Sequence, residues 1–497
     1  MISFRICTTR LRSVCVLLSS VAGLLLLIQP TGARAQCQGN AGEHVAYNSS
    51  NQACFGSTAY VDASALGYTN SNTICNIIYN IVNSSSYPPT GEVIDARGLV
   101  SGVNANFTCA NNESPWLSGS NYVNVPSVVL LPAGTITTTY TWVLPDRTSL
   151  IGQGGGSSSS VQVGTLITAG NNFTGPAGSP PYNPLAPIAM IQFGDPGFKT
   201  CGPGGQEVGV CFHITVEDLA LNGGGQSIDG ILNMDSQELT YAKRVSFFNF
   251  AGVGLQVGAP CNGVNTCEYY AQGQNSGPYE QIYYSGSGTC AQIYGAGIRG
   301  IHGITCVGSS SPAAGILLDS SSNTLEDVTL SGFKDGIKIG SLSTSSPTQS
   351  ESWNDALINI HGSAINNLIH ICGSQVTQPC LPASTPAPQD LNLLSVSSTG
   401  GTTIQDDVTN TPLTDSHVGI YALGEPQATL ATGTGNSRFT TSSNLPSWFV
   451  GTAQLGSGIT SLTCPAAAQG SIYTATTGSA ANGTLWGCVG GFWTFIQ

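Results

Sequence analysis

The stretch LEDVTLSGFKDGIKI, residues 325–339, has a near-copy 109 residues earlier in VEDLALNGGGQSIDGI, residues 216–231. In both, a run containing Glu-Asp is followed by a glycine-rich turn and then by Asp-Gly-Ile. Glycine followed by an apolar residue recurs at a spacing of 24 residues from Gly230 to Gly254 and of 21 from Gly315 to Gly336. These spacings are too short for a strand-helix-strand unit, but they suit one turn of a solenoid of short strands. The chain is therefore expected to be a stack of β-rungs that together bury one core, with loops such as the polar, glycine-rich stretch 259–297 interrupting the coils.

The Gly-Ile phrase also predicts which side chains point outward. Neighbouring residues of a strand point to opposite faces, so the residue after the isoleucine should lie on the outer face. The phrase occurs at residues 230–233, 254–257, 315–318, 336–339 and 419–422, with a weaker copy at 297–300. In that outward position, Arg299 and Lys338 are the basic side chains.

The first 35 residues have the pattern of a secretory signal. Arg5, Arg10 and Arg12 form a basic start, residues 14–28 an apolar core, and Ala33-Arg34-Ala35 a cleavage motif. An uncleaved anchor is the alternative, but the apolar stretch is short for a span of ~20 residues. We expect an exported protein, extracellular or periplasmic, with no membrane span after cleavage.

The charge balance excludes one class of partner. Without the signal and its four arginines, 9 basic residues face 26 acidic ones, a formal charge of −17. Nucleic acid is not expected as a partner, because phosphate binding needs clustered Lys and Arg. An acidic polysaccharide would need either a local basic cleft or bridging cations, so a uronate substrate implies Ca²⁺.

Fourteen of the sixteen cysteines lie after the signal. An even number of cysteines in an exported chain predicts disulfides. A metal site is the weaker alternative, because the sequence contains no C-x-x-C pair. Sequence alone does not fix the connectivity. Close pairs that could staple loops are Cys201/Cys211, Cys261/Cys267, Cys372/Cys380 and Cys464/Cys488.

Four segments are predicted along the chain. Residues 1–35 are the signal peptide, and residues 36–90 are a polar segment ending in an amphipathic helix, 71–83, that would cap the first rung with Ser71 or Asn72 as N-cap. Residues 91–424 form the solenoid. Residues 425–497 form a linker and a small disulfide-closed β-module whose aromatic residues either stack on sugars or form its own core.

Together with the rung phrases, the stretch SVVLLPAGTITTTYTWVLPDRTSLIGQG, residues 127–154, resembles the pectate-lyase-like superfamily, which includes pectate lyases and polygalacturonases. The resemblance spans about residues 55–424. It implies an all-β, right-handed parallel β-helix with a polysaccharide groove along a strand face. The reaction stays open, because members of this superfamily hydrolyse, eliminate, epimerise or only bind.

The resemblance does not extend to the hydrolase motifs. Polygalacturonases place acids in an N-T-D motif followed one rung later by D-D, and then carry G-H-G and R-I-K. Here Asp229 fits the first motif, but Val253 occupies the equivalent position on the next rung. The other Asp-Gly, at Asp335, lies four to five rungs from Asp229, which is ~20 Å and beyond the ~5 to 9.5 Å of glycosidase carboxylate pairs. Each aspartate is a candidate acid, and the alternative is an ordinary Asp-Gly turn.

Two further candidates concern proton transfer. His302 is expected on the rung beside Glu326, where one could act as a base or both could belong to an exposed charge ladder. A lyase of the resembled type needs a basic group to remove the proton next to a uronate carboxylate, and Arg299 or Lys338 could serve.

The leading hypothesis is a secreted protein of pectate-lyase type that cleaves an acidic glycan. A glycoside hydrolase of the same fold and a non-catalytic glycan-binding or adhesion protein are the alternatives.

Overall fold

The structure is a computed structural model of the chain. It describes residues 46–47, 53–55, 58–64, 73–84, 91–99, 106–109, 113–118, 121–155, 164–175, 188–194, 211–233, 236–258, 275–294, 297–310, 312–318, 322–339, 355–371, 391–406, 418–421, 430–432, 450–451, 472–475, 484–489 and 492–495. The predicted signal peptide lies outside these residues.

Strands dominate the described part of the chain. One α-helix, α1 (Ile74–Val82), and one 3-10 turn (Arg97–Leu99) accompany them. The strands are β1 (Ala46–Tyr47), β2 (Ala53–Phe55), β3 (Thr58–Asp62), β4 (Glu92–Asp95), β5 (Asn106–Thr108), β6 (Glu113–Ser114), β7 (Leu117–Ser118), β8 (Asn121–Tyr122), β9 (Ser127–Leu130), β10 (Gly134–Tyr140), β11 (Trp142–Leu144), β12 (Ser149–Ile151), β13 (Thr165–Thr174), β14 (Ala189–Phe193), β15 (Thr215–Asn222), β16 (Asp229–Asn233), β17 (Tyr241–Phe248), β18 (Val253–Val257), β19 (Tyr279–Glu280), β20 (Tyr283–Gly286), β21 (Thr289–Ile293), β22 (Ile301–Gly308), β23 (Ala314–Leu318), β24 (Thr324–Ser331), β25 (Asp335–Ile339), β26 (Ala356–Ser363), β27 (Asn367–Ile371), β28 (Leu391–Thr399), β29 (Thr402–Asp406), β30 (Val418–Tyr421), β31 (Leu430–Thr432), β32 (Val450–Gly451), β33 (Ile472–Ala475), β34 (Thr484–Val489) and β35 (Phe492–Phe495).

Each rung contributes strands to two parallel sheets. The sheet that we call the Gly-Ile sheet runs β11, β14, β16, β18, β21, β23, β25, β27, β29 and β31, with every neighbouring pair parallel. The other sheet, which we call the corner sheet, stacks the long strands β15, β17, β22, β24, β26 and β28, with the two short strands β19 and β20 as one rung between β17 and β22. Strands that are consecutive in a stack belong to successive turns of the chain. The chain is a parallel β-helix.

The long strands of the corner sheet bend in the middle. At the bend, successive rungs carry a residue with φ between 54° and 67°, in the left-handed region. Asp and Asn tolerate this conformation better than most residues, which explains why the Glu-Asp phrase recurs here. The bend residues, in rung order, are Asp218, Arg244, Gln281, Gly303, Asp327, Asn359 and Ser395.

One large hydrophobic core fills the coil from Val61 to Ile404, and a small separate cluster is formed by Leu166, Ala220 and Phe248. The inward isoleucine of each Gly-Ile strand belongs to the large core; Ile231, Ile316 and Ile337 are fully buried. Such continuous burial across neighbouring rungs is what stabilises a solenoid.

The structure revises several predicted positions. Helix α1 exists and its predicted apolar face is buried, but its N-cap is Thr73, whose hydroxyl accepts from the Asn76 N–H, rather than Ser71 or Asn72. The parallel stack already includes β3, upstream of the predicted start at residue 91. The stretch 259–297, expected as one loop, contains a complete rung in β19, β20 and β21.

Two copies of the Gly-Ile phrase are not in the Gly-Ile sheet. Arg299 lies in an exposed turn before β22, where its N–H donates to Ser276 O at 2.7 Å. Gly419 and Ile420 belong to β30, which pairs with β28 in the corner sheet. Arg299 is therefore not in line with Lys338, because its strand-like sequence forms a turn.

Disulfides are confirmed, although the described ones are not the predicted pairs. Cys75–Cys109 joins α1 to the residue after β5, and Cys290–Cys306 joins β21 to β22. Cys211 is also disulfide-bonded. Such bonds indicate an oxidising compartment. The four close pairs predicted above each include a cysteine outside the described residues.

At the C-terminal end, β33, β34 and β35 pair in antiparallel fashion. This differs from the parallel rungs before them. Closure of a separate module by Cys464 and Cys488 falls outside the described residues and stays a prediction, as does the capping role of α1.

Candidate functional site

The outer face of the Gly-Ile sheet carries one column of polar and basic side chains. The register of the strands places one residue of each rung in it, the residue two after each glycine or its equivalent. Lys338 and His370 are neighbours in this column, on β25 and β27. In rung order the column reads Gln192, Leu232, Gln256, Gln292, Leu317, Lys338, His370 and Gln405.

Asp335 opens β25 and is held by two side chains of the next rung. His370 Nδ1 lies 2.8 Å from Asp335 Oδ2, and Asn367 Nδ2 donates to Oδ1 at 2.9 Å. Both Asp335 and His370 are 7% exposed. Burial alone would raise the pKa of Asp335, but the hydrogen bonds from His370 and Asn367 and the charges of His370 and Lys338 outweigh it and hold the pKa below its usual range. Asp335 is therefore an ionised carboxylate at neutral pH.

Lys338 is the unusual base of the column. Its side chain is 3% exposed, and no hydrogen bond or ion pair of its ammonium group is found among the described residues. Burial lowers its pKa to about 8, although the negative charge of Asp335 acts in the opposite direction. With a pKa of about 8, roughly a tenth of Lys338 is a neutral amine at pH 7, and this form can accept a proton.

Asp229 occupies the same position as Asp335 four rungs earlier, so the two carboxyls are ~19 Å apart. It is 3% exposed; its Oδ1 accepts from the Val253 N–H at 2.7 Å, and its Oδ2 has no hydrogen-bond partner among the residues that the structure describes. Burial raises its pKa to about 7, and the Val253 N–H only partly offsets this effect. The structure thus separates Asp229 from Asp335, as the spacing argument predicted.

The second predicted group lies at the bend of the corner sheet. His302 and Glu326 are register neighbours, as expected. However, His302 Nε2 lies 3.1 Å from Oε1 of Glu280, on the preceding rung, and Lys243 Nζ lies 2.5 Å from Oε2 of the same carboxylate. Glu326 is exposed. His302, Glu280 and Lys243 belong to a ladder of ion pairs along the bend. A role in that charge ladder fits His302 better than proton abstraction.

The ladder extends to the first rungs of the bend. Arg244 pairs with Asp218 at 2.5 Å and with Glu217 at 2.9 Å, and the Tyr241 hydroxyl donates to Glu217 at 2.7 Å. The negative charge of Glu280 is stabilised first by the hydrogen bond from Lys243, which lowers the pKa of Glu280. Exposed pairs of this kind contribute ~0 to 1 kcal/mol each.

Sequence reasoning missed His370, Asn367 and Glu280. His370 lies in NLIHI, which has leucine where the phrase has glycine, so this strand does not match the Gly-Ile phrase. Allowing any small or apolar residue before the isoleucine would have aligned His370 with Lys338. Glu280 lies in the stretch 259–297, which was expected to be a loop.

Within the described ranges, no group of three or more His, Cys, Asp and Glu residues is arranged to hold a metal ion. Calcium stays a prediction. No helix among them is long and apolar enough to cross a membrane.

Comparison with known proteins gives distant likenesses. No protein-family model and no curated protein matches the chain. Among solved structures, the chain is similar to the A-module of mannuronan C-5 epimerase AlgE4 of Azotobacter vinelandii, with 13% identity, a TM-score of 0.26, and coverage of 62% of this chain and 86% of that one. The AlgE6 A-module of the same organism gives 11% identity, a TM-score of 0.18, and coverage of 63% and 92%.

A third likeness is to ORF18 of Geobacillus virus E2, with 13% identity and a TM-score of 0.22. It covers 76% of this chain and 58% of the viral one. Scores this low carry no argument about the reaction. The assignment of the fold rests on the strand pairing described above.

Proposed function

We propose that this protein is an exported enzyme that acts on an acidic polysaccharide by removing the proton next to the carboxylate of a uronate residue, as a polysaccharide lyase does. The observation that carries the proposal is the cluster of Lys338 and His370, in the outer column of the Gly-Ile sheet, with Asp335 at the start of β25. It provides a buried amine with a pKa near 8 beside a fixed carboxylate–imidazole pair.

Lys338 takes the role of the base in this proposal. Its neutral amine removes the proton from the carbon next to the uronate carboxylate, the electrons form a carbon–carbon double bond, and the glycosidic oxygen leaves from the neighbouring carbon. The leaving oxygen takes a proton from solvent. A base whose pKa lies close to the working pH is the most effective for such a step. Asp335 and His370 are positioning residues that set the charge around Lys338.

In this proposal the glycan lies along the column and reaches Lys338 from the half-buried side chains beside it. Leu317 and Gln292, on the two rungs before Lys338, are half-buried, whereas Gln256 on the next rung back is buried. Successive rungs are ~4.8 Å apart, so sugar units lying along the column would meet one side chain after another. Because the chain as a whole is strongly acidic, it repels an acidic glycan over most of its surface. Contact is therefore favoured where Lys338 and His370 lie together.

The test uses the purified mature protein with a panel of polyuronates, with calcium added or removed by a chelator. Elimination produces an unsaturated sugar that absorbs in the ultraviolet. We expect the rate to rise with pH through about 8, where Lys338 loses its proton, and to fall by ~10²-fold or more in Lys338→Met. Lys334→Met is the matched control, because Lys334 is exposed and four residues away on the same turn; its rate should be unchanged.

Two outcomes would contradict the proposal. New reducing ends without ultraviolet absorbance would indicate a glycoside hydrolase instead. Elimination that survives in Lys338→Met would place the base elsewhere.

The second candidate function is non-catalytic binding of an extracellular glycan. The observation that counts against catalysis, and to that extent for this candidate, is the burial of the proposed base and its neighbour, since Lys338 and His370 are 3% and 7% exposed. Retention of the protein on a polyuronate column with no turnover of the bound glycan would support this candidate.

A further inference from the structure

A chain of side-chain hydrogen bonds crosses three rungs on the outer face of the corner sheet. The Ser397 hydroxyl lies 2.6 Å from Nδ1 of His361, and Nε2 of His361 lies 2.7 Å from Oδ1 of Asn359. Nδ2 of Asn359 donates to Oδ1 of Asp327. His361 is exposed and Ser397 is half-exposed, so the group is open to solvent.

The chemistry of the donors and acceptors fixes the direction of this chain. A carboxylate only accepts, so Asn359 presents its NH₂ to Asp327 and its carbonyl oxygen to His361. A carbonyl oxygen also only accepts, so Nε2 of His361 must carry the ring proton. Nδ1 of the neutral ring is then the acceptor, and Ser397 donates its hydroxyl proton to it. The serine therefore faces an imidazole nitrogen that is ready to take its proton.

The bend of the corner sheet explains how these residues meet. Asp327 and Asn359 are bend residues with φ of 55° and 56°, and they follow one another in the ladder. His361 and Ser397 are direct register partners on β26 and β28. On the preceding rungs the same outward column holds Thr305 and Thr329; Thr329 is the register partner of His361 on its other side, but Nδ1 of His361 makes its hydrogen bond with Ser397. The hydroxyl–imidazole contact thus occurs where the column changes from threonine to histidine and serine.

We propose that Ser397 is a nucleophile and His361 its general base, with Asn359 and Asp327 as positioning residues, in a second active site that hydrolyses O-acyl esters such as acetylated glycan hydroxyls. A nucleophile bonded to a base that is oriented by a third group is the arrangement that covalent acyl transfer needs. This inference uses none of the residues of the Gly-Ile sheet and does not depend on the function proposed above.

The reaction balances without any further reactant except water. Ser397 Oγ forms a bond to the acyl carbon while its proton passes to His361 Nδ1. The bond from the acyl carbon to the alcohol oxygen then breaks, and the alcohol leaves with that proton. Water next attacks the acyl-serine, gives a proton to His361, and releases the carboxylic acid as Ser397 regains its proton. With base catalysis as the main contribution, of ~10²- to 10⁴-fold, turnover should be slow.

The experiment treats the mature protein with a fluorophosphonate, which reacts with activated serines, and locates the adduct by peptide mass spectrometry. We expect the adduct on Ser397, no adduct at that position in Ser397→Ala, and labelling at least ~10²-fold slower in His361→Ala. Hydrolysis of 4-nitrophenyl acetate should fall in the same variants. Ser363→Ala is the matched control, because Ser363 is an exposed serine on the same strand as His361, and it should behave like the unmodified protein.

Several results would overturn the inference. These are the absence of an adduct on Ser397, equal labelling of Ser363, and a labelling rate that does not change in His361→Ala. Circular dichroism of each variant separates loss of reactivity from loss of fold. Labelling needs no glycan cleavage, so a failure to label Ser397 would not affect the proposed lyase function. Equally, a failure of the elimination assay would not affect this inference.

Discussion

Asp229 and Asp335 begin the same tripeptide, Asp-Gly-Ile, at the same position of the same sheet, yet their carboxyl groups differ in charge. Asp335 is held ionised, with its pKa below the usual range, whereas burial raises the pKa of Asp229 to about 7. Their strands, DGILN and DGIKI, share the first three residues, and both are buried along their whole length. The cause must therefore lie outside the tripeptide.

Most of the difference comes from the next rung, and the charge of Lys338, at the position that Leu232 has in the strand of Asp229, adds to it. Beside Asp335 that rung supplies Asn367 and His370, which donate hydrogen bonds to both carboxylate oxygens. Beside Asp229 it supplies Val253 and Gln256; only the backbone N–H of Val253 reaches the carboxyl, and the amide of Gln256 donates instead to Gly258 O at 3.0 Å. In a solenoid, the chemistry of a position is thus set by its neighbour one turn later in the chain.

The largest effect is expected from removing the histidine partner. His370→Leu leaves Asp335 buried with one hydrogen-bond partner fewer, so the folded state should lose roughly 3 to 5 kcal/mol near neutral pH. The loss should shrink in acid, where Asp335 is protonated in both the folded and the unfolded state. Denaturant unfolding followed by fluorescence measures it. The matched control is Gln256→Leu, at the same position after Asp229, which should cost about 1 kcal/mol. Equal losses in the two variants would show that His370 does not support Asp335.

The next largest effect on stability is expected from removing the charge of Asp229. A group whose pKa is raised on folding stabilises the folded state below its unfolded pKa and loses that contribution as the pH rises through its folded value, here about 7. Asp229→Asn should therefore stabilise the protein by roughly 2 to 4 kcal/mol at about pH 8 and have little effect near pH 4. Thermal unfolding across this range measures the change. Asp335→Asn should have the opposite sign at pH 8, and a stabilising effect there would contradict the comparison.

The smallest effect comes from giving Asp229 a partner like that of Asp335. Val253 occupies the position relative to Asp229 that Asn367 occupies relative to Asp335. Val253→Asn should place an NH₂ donor near the unpaired Oδ2, lower the pKa of Asp229 and add about 1 to 2 kcal/mol to the free energy of unfolding above pH 7. Val253→Leu, of similar shape but without a donor, is the control, and a gain of the same size in both variants would count against the hydrogen bond.

The fold was predictable because its signal is repeated. The Glu-Asp and Gly-Ile phrases mark the bend and the inner face of successive rungs, and core burial makes isoleucine or leucine recur at those points. The predicted positions of individual rungs were wrong in two places. The rung at 279–293 does not carry the phrase, and the phrase around Arg299 forms a turn instead of a strand. Local sequence does not determine whether a Gly-Ile pair joins the stack, since this depends on the rungs on either side.

The candidate site was less predictable. Lys338 was identified because it shares a strand with the phrase, but its partner His370 is 32 residues further along the chain. The number of residues between rungs varies, so the register that brings the two together is known only from the strand pairing. The bond between His361 and Ser397 depends on the same kind of long-range register.

The most direct test of the contrast is to titrate the two carboxyl groups themselves. Carbon-13 labelling of the aspartate carboxyls, with Asp229→Asn and Asp335→Asn variants to assign the signals, allows each pKa to be followed by NMR. We predict that the Asp229 signal titrates near 7 and that the Asp335 signal titrates below the usual value of 3.8. Titration of both groups at the same pH would contradict the claim that the next rung sets the charge of each Asp-Gly-Ile position.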